Sequence, residues 1–423
     1  MAKNAIISVS CFDKEIGRLG LDEHRNRSYF QYSTEFLKSE HFLNLFPVQS
    51  VIKKVPQSQV FSQYNTATFR GLPPVFADSL PDVFGNLIFQ KWLTSKNKNF
   101  HQISVLEQLA YVAKRGMGAL EYEPAKELPS SSTIDLAEII EVLKQVLDQK
   151  SDAQLGSLSH ESLLNVFKIG SSAGGARPKV LISEHKTSGE IIPGDLVLSS
   201  NYHHYLVKLA LEDSPKFERE KVEYCYYLTA KHLGIKMMNS KLIDQKHFAT
   251  ERFDRIDGRK KHVLTASGLT GWDFHNPEVS SYENVFELAV YLQLAHAEIE
   301  EIFLRMVFNV VFRNTDDHLK NHAFIYDDAQ DHWHLSPAYD LTYALDPFFN
   351  FKRTSRALSI NGKRLDLTMS DLLTIAERYT IKNPKGIINK VQRAIEFWAA
   401  SCTVNEISDK TIDRIRKDFH LLF

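Results

Sequence analysis

Cysteine is scarce in this chain. Three occur among 423 residues, Cys11, Cys225 and Cys402, and each stands alone. None has the Cys-x-x-Cys spacing of a structural zinc site, and an odd, dispersed set makes a poor disulfide framework. Reduced thiols and a cytoplasmic setting are therefore expected. No run approaches the about 18 apolar residues a membrane-spanning helix needs, and Met1 to Ile7 has no long apolar leader core, so neither membrane insertion nor secretion is expected. Charge of one sign is not in excess: 51 basic residues against 52 acidic give a net charge of −1. That leaves no global electrostatic footprint for direct nucleic-acid binding. Internal repeats and low-complexity segments are also absent, which argues against a solenoid.

What remains is an ordinary globular composition, 43% hydrophobic and 24% charged. The length exceeds the ~250–300 residues at which a single core stops growing, so two or three domains are expected.

One stretch organises the rest. Arg313-Asn314-Thr315-Asp316-Asp317-His318-Leu319-Lys320-Asn321 is polar and charged. A nearly continuous apolar segment, 302–312, precedes it, and a short apolar run, 323–326, follows. The first reads as a buried helix and the second as a buried strand. A polar loop held between two buried elements is where catalytic residues tend to be placed. Asp316 and Asn321 stand five apart, and Asp340 lies nineteen residues beyond Asn321. Protein kinases use this order: a catalytic Asp, then a Mg²⁺-binding Asn, then a second Mg²⁺-binding Asp. One carboxylate must take or orient the hydroxyl proton, while an amide oxygen and another carboxylate hold the cation against the phosphates. Strands at 323–326 and 332–335 around a turn would bring Asn321 and Asp340 side by side. The alternative is an ordinary polar loop capped by Asp and Asn.

Upstream, strands are expected at 5–12, 27–32 and 43–48, with helices over 83–94 and 103–114. A Ser/Pro run at 129–133 reads as a linker and cap before an amphipathic helix, 134–150. A glycine-rich loop, Gly170-Ser171-Ser172-Ala173-Gly174-Gly175-Ala176, would let backbone N–H groups approach an anion; a flexible turn fits it equally. Strand-like runs follow at 180–183 and 196–198. Lys208 sits in a strand pattern, as a phosphate-pairing lysine does in a kinase, or else as a snorkelling edge lysine. Glu218, Glu220 or Glu223 on the helix 217–233 could pair with it. Residues 248–255 read as a strand leading to a hinge, 281–312 as helix, and the tail beyond 370 as successive packed helices.

Together these residues resemble the HipA family of bacterial serine/threonine kinases, the toxins of HipA/HipB toxin–antitoxin pairs, over essentially the whole chain. Gly170 to Lys179 is similar to the family's phosphate-binding loop and Glu251-Arg252-Phe253-Asp254-Arg255 to its hinge motif. Asn314 to Asn321 is similar to its catalytic loop, and Ser336-Pro337-Ala338-Tyr339-Asp340 to its metal-binding segment. Phe76-Ala77-Asp78-Ser79-Leu80-Pro81-Asp82 and Gly116-Met117-Gly118-Ala119-Leu120-Glu121 resemble its N-terminal subdomain.

The resemblance implies an α+β, bilobal protein-kinase-like fold with a small β-rich N-terminal subdomain and a mainly helical C-terminal lobe. The domains expected are 1–125, 126–256 with the phosphate loop, strand lysine and hinge, and 257–423 with the catalytic loop. Asp316 would be the catalytic base, with Lys320 steadying the transferring phosphoryl group. Asn321 and Asp340 would bind Mg²⁺. ATP would be held by Ser172, Ala173, Gly174, Gly175, Ala176, Lys179 and Lys208, by Glu251 and Phe253 at the hinge, and by His318. Autophosphorylation of Ser171, or of Ser172, would eject the loop and switch the kinase off. The implied partners are a cytoplasmic protein substrate, with an aminoacyl-tRNA synthetase suggested, and a HipB-like helix-turn-helix antitoxin that makes the DNA contact. Asp340 is followed by Leu341-Thr342 rather than Phe-Gly, so ordinary activation-loop logic does not transfer. The rival readings are a catalytically silent kinase fold serving a DNA-binding repressor, and a small-molecule phosphotransferase.

Overall fold

The computed structural model describes residues 6–81, 83–125, 136–147, 177–194, 199–212, 216–345 and 354–422. The chain forms two compact units. One comprises Met1–Leu211, Ala249–Leu264 and Gly268–Gly271, the other Glu212–Phe248, Thr265–Ser267 and Trp272–Phe423.

The first unit opens with an antiparallel sheet of β1 (Ile6–Cys11), β2 (Lys14–Asp22), β3 (Arg27–Tyr32), β4 (Gln59–Phe61) and β5 (Leu120–Glu123), in the order β4-β3-β2-β1-β5. Alternation places Ile7, Val9 and Cys11 of β1 on the buried face, with Phe30 and Tyr32 of β3. β2 was not expected, because Gly17 and Gly20 dilute its alternation. Its signal is the two-residue turn Phe12-Asp13, with φ of +51° and +58°, the backbone that hairpins prefer. Gly17 is required by close approach, since a Cβ there would lie 2.3 Å from the Gln31 carbonyl.

The strand expected at 43–48 does not form. Phe42 turns the chain with φ +58° and Pro47 offers no ladder donor. Leu45 and Phe46 instead plug the core, Phe46 packing edge-on against Phe76 at 5.8 Å. The helices Val83–Ser95 and Val105–Val112 form as expected, the second starting at a capping box of Ser104 and Glu107. Their aromatic faces meet at Phe89 and Tyr111, 4.9 Å apart. A helix also runs over Leu136–Leu147.

A second antiparallel sheet in this unit pairs β6 (Lys179–His185) with both β7 (Ile191–Pro193) and β8 (Tyr202–Lys208). The strand His247–Glu251 lies beyond β8. The strand expected at 196–198 falls outside the described residues.

The second unit is mainly helical: Arg219–Leu233, Tyr282–Tyr291, His296–Val311, Met369–Arg378, Pro384–Val404 and Asp409–Asp418. The single helix expected over 281–312 is broken. Gln293 turns with φ +58°, and Leu294 N–H donates to the Ala289 carbonyl at 3.0 Å, closing a Schellman stop. Burial of Leu292 and Leu294 accounts for the continuous apolar pattern that hid the stop. Tyr226, Phe308, Phe312, Trp398 and Phe419 form the aromatic core. Each buried aromatic of this kind contributes about 1.5–3 kcal/mol by removal from water.

Candidate active site

The polar stretch leaves the end of the helix His296–Val311. Tyr226 fixes that end, its hydroxyl donating to the Phe312 carbonyl at 2.6 Å. Arg313 then reverses the chain with φ +56°. Asn314 is buried, and its Nδ2 donates to Asn309 Oδ1 at 3.0 Å and to the Asp340 carbonyl at 3.2 Å. The Asp316 side chain is 72% exposed, with His318 Nε2 3.9 Å from its Oδ1. A single 3-10 turn, Leu319–Asn321, follows around the fully buried Leu319. Asn321 Nδ2 donates to the Asp316 carbonyl at 2.8 Å, closing the turn on itself. Lys320 Nζ lies 5.7 Å from the centre of the Phe274 ring, and the His318 ring packs on the same phenylalanine at 4.9 Å.

The next element is the hairpin Ala323–Asp327 with His332–Leu335, in which Phe324 faces Leu335. It returns the chain to the turn it left. Ser336 N–H donates to the Ala323 carbonyl at 3.0 Å, and the Tyr339 hydroxyl donates to the Lys320 carbonyl at 2.6 Å. The buried pair Glu301–Arg305 steadies the approach: Arg305 Nη2 donates to the Ser336 carbonyl at 2.9 Å. Asp340 itself takes φ +53°. The backbones of Asn321 and Asp340 are thus tied through their immediate neighbours.

This donor set suits a hard cation. Asn321 uses its NH₂ group on the Asp316 carbonyl, so its amide oxygen is the atom that would be offered to a metal, and Asp340 would supply a carboxylate. Mg²⁺ takes oxygen ligands and keeps several waters, so one or two protein ligands suffice. Among the described residues no group of three or more His, Cys, Asp or Glu is placed to hold a metal ion.

Asp317 is the buried neighbour of Asp316. Its side chain is 1% exposed and ion-pairs with Arg356 Nη2. Its Oδ2 also accepts from the Tyr282 hydroxyl at 2.7 Å, and that hydroxyl accepts from Asn309 Nδ2 at 2.9 Å. Nothing local distinguishes Asp317 from Asp316. Glu218, a candidate partner for Lys208, is committed within the second unit: it accepts from Ser408 N at 3.2 Å and Thr411 Oγ1 at 3.0 Å.

In the first unit, Lys179 on β6 and Lys208 on β8 are directly opposed in register and both are buried. Opposed residues of an antiparallel pair project to the same face, so one face carries two ammonium-bearing side chains. Glu251 pairs with His203 Nδ1 at 2.7 Å. Phe253 is buried, and around it runs an ion cluster. Arg252 grips Asp254 through two bonds, of 2.9 and 2.7 Å, and Arg255 Nη1 reaches Asp254 Oδ2 at 2.8 Å. Burial alone would raise the Asp254 carboxyl, but the two guanidinium charges hold it well below the usual carboxylate range. Gly118 N–H also donates to Asp254, at 2.8 Å, and Arg255 Nη2 donates to the Gly116 carbonyl at 2.7 Å. Two motifs that the sequence presents separately, 116–121 and 251–255, therefore meet. Ser171, Ser172, Ala173, Gly174, Gly175 and Ala176 lie outside the described residues.

Residues 171–399 match the family model of the HipA-like C-terminal domain, and residues 7–123 that of the HipA N-terminal domain. The Sinorhizobium fredii protein named "Putative kinase Y4dM" is 29% identical over 154 residues, 36% of this chain and 37% of that protein, so the match spans well under half of the relative. Among solved structures, a chain of the Shewanella oneidensis MR-1 toxin–antitoxin complex of HipA, HipB and operator DNA superposes with a TM-score of 0.60. The alignment covers 97% of this chain and 94% of that one, at 14% identity. At that identity the superposition shows a shared fold.

Proposed function

This chain belongs to the HipA family, and from that membership we propose that it is a Mg·ATP-dependent protein serine/threonine kinase acting as the toxin of a toxin–antitoxin pair. The observation that carries this reading is the tethering of Asp340 to the turn 316–321, through Tyr339 to Lys320 and through Asn314 to Asp340. In a kinase those are the parts whose spacing must be fixed before phosphate can move.

In this reading Asp316, exposed on its turn, takes the proton of the attacking serine or threonine hydroxyl. Asn321, through its amide oxygen, and Asp340 hold Mg²⁺, which when bound neutralises charge on the ATP phosphates. Lys320 lends positive charge to the phosphoryl group in transit. Lys179 and Lys208, with the backbone of 172–176, hold the phosphates. Glu251 and Phe253 meet the adenine, and His318 supports nucleotide binding. Phosphorylation of Ser171, or of neighbouring Ser172, adds about −1.5 to −2 charge where ATP phosphates must sit, and so turns the enzyme off. The partner is a small helix-turn-helix antitoxin, which makes the DNA contact. The HipA, HipB and operator assembly of the structural neighbour supports that expectation. The substrate is a cytoplasmic protein, with an aminoacyl-tRNA synthetase the class suggested by family resemblance.

A phosphoproteome taken after induced expression, compared with that of Asp316→Ala, tests the proposal. Serine or threonine sites that rise only with the wild type support it and identify the substrate. Identical phosphoproteomes alongside equal growth arrest would mean that the chain acts without phosphotransfer.

A further inference from the structure

Asp316 and Asp317 are neighbours in sequence and opposites in environment, the first side chain 72% exposed and the second 1%. A buried carboxylate is costly unless it is paired and hydrogen-bonded. Asp317 meets that demand with groups from two other segments. Arg356 Nη2 and the Tyr282 hydroxyl both bond Oδ2, and Leu358 N–H reaches Oδ1 at 3.5 Å. The segment carrying Arg356 is stitched to the same turn, since Ala357 N–H donates to the Thr315 carbonyl at 2.8 Å. Arg364 secures that segment, with Nη2 donating to the Pro277 carbonyl at 2.7 Å and the Ser280 carbonyl at 2.8 Å.

The pair is one end of a continuous buried chain of bonds. Arg356 holds Asp317, Asp317 accepts from Tyr282, Tyr282 accepts from Asn309, Asn309 accepts from Asn314, and Asn314 donates to the Asp340 carbonyl. Every side chain in it is buried. A buried hydrogen-bonded network of this kind holds what it touches, although Asn314 Oδ1 and Arg356 Nε within it make no hydrogen bond. What it touches here is the backbone on both sides of Asp316 and the backbone of Asp340.

We propose that Asp317 and Arg356 are a positioning pair, which locks the turn so that Asp316 faces the reacting hydroxyl at a fixed distance from Asp340. This rests on the kinase reading above. Neither residue touches nucleotide or substrate; each acts through the turn. Because the pair works as a unit, losing either member should cost as much as losing both. Because it sets geometry for the chemical step, the loss should fall on kcat rather than on KM for ATP. A displacement of about 1 Å at a reacting group can cost about 10²-fold.

The test uses full-length protein and Mg·ATP transfer to a protein acceptor or to itself, with kcat and KM for ATP measured separately and the folded fraction followed by urea titration. The variants are Asp317→Asn, Arg356→Gln, the double variant and Arg356→Lys. The double variant removes both charges and leaves no unpaired ion in the core, so it remains informative where a single variant unfolds. The expected result is a fall in kcat of about 10- to 100-fold in folded Asp317→Asn and Arg356→Gln, with KM for ATP within about threefold. The double variant should be no worse than the weaker single, and Arg356→Lys should recover part of the rate. A folded double variant with wild-type kcat overturns the proposal. So do losses that multiply in the double variant, or rates that merely track the folded fraction. A wild type that transfers no phosphate defeats the kinase reading itself, and this inference with it.

Discussion

Tyr339 and Lys320 are joined by a 2.6 Å hydrogen bond, hydroxyl to carbonyl, one residue from Asp340 on one side and one residue from Asn321 on the other. The bond makes the spacing of the two proposed metal ligands a property of the fold. Tyr339→Phe removes it without removing the ring, at a cost of about 1 kcal/mol. The Mg²⁺ concentration for half-maximal phosphate transfer should rise about fivefold, the equivalent of that energy, with little change in folding. A Mg²⁺ titration of the transfer rate reads this directly; an unchanged midpoint would show that the tether does not set the metal site.

Asp254 anchors a second, structural arrangement. Its carboxylate is fully buried between Arg252 and Arg255 and receives the Gly118 N–H. Asp254→Asn leaves two buried guanidinium groups without their anion, which should cost about 3–5 kcal/mol, seen as a lower urea midpoint. The folded carboxyl is held below its ordinary range by the two arginines, against the opposing effect of burial. Its stabilisation is therefore complete above the unfolded value of about 3.9 and is lost as pH falls through the folded one. Acid unfolding of Asp254→Asn should be less steep than that of the wild type in this range.

His322 gives the protein a milder acid sensitivity at the site. Burial pushes its imidazole down to about 4. An unfolded histidine titrates near 6.5, so between about 6.5 and 4 the unfolded chain binds the extra proton. Stability therefore falls as pH drops through that window and is full above it. The loss is on the order of 3 kcal/mol for a shift of this size. Urea titrations from neutral pH downward should show the decline, and His322→Gln should reduce its slope by about one proton. Equal slopes would place the sensitivity elsewhere.

Much of the candidate site was legible in the sequence because its signals are local. Asp316, Asn321 and Asp340 lie within one turn and one hairpin of each other, and the apolar flanks mark both boundaries. Asp317 was not legible. What separates it from Asp316 is burial, and its partners Tyr282 and Arg356 are 35 and 39 residues away. The 251–255 motif stood out, yet its hold on Gly118 spans 136 positions and has no sequence signature. In the fold, the strand expected at 43–48 and the unbroken helix expected over 281–312 fail for one cause. Leu45 and Phe46, and Leu292 and Leu294, are apolar because they plug cores from turns, and a periodicity argument credits such residues to strands or helices. β2 was hidden for the opposite reason: close strand contact puts glycine at Gly17, where a side chain would otherwise have marked the alternation.

Intact-mass spectrometry of phosphatase-treated protein, incubated with Mg·ATP, tests the kinase assignment most directly, with Asp316→Ala run in parallel. Phosphatase treatment comes first because an enzyme that has already modified Ser171 would be silent. The account predicts that the wild type gains phosphate on serine, mapping to Ser171 or Ser172, and that Asp316→Ala gains none while still binding ATP. A wild type that binds ATP without gaining phosphate or passing it to any protein, or an Asp316→Ala variant that labels as fast as the wild type, would contradict it.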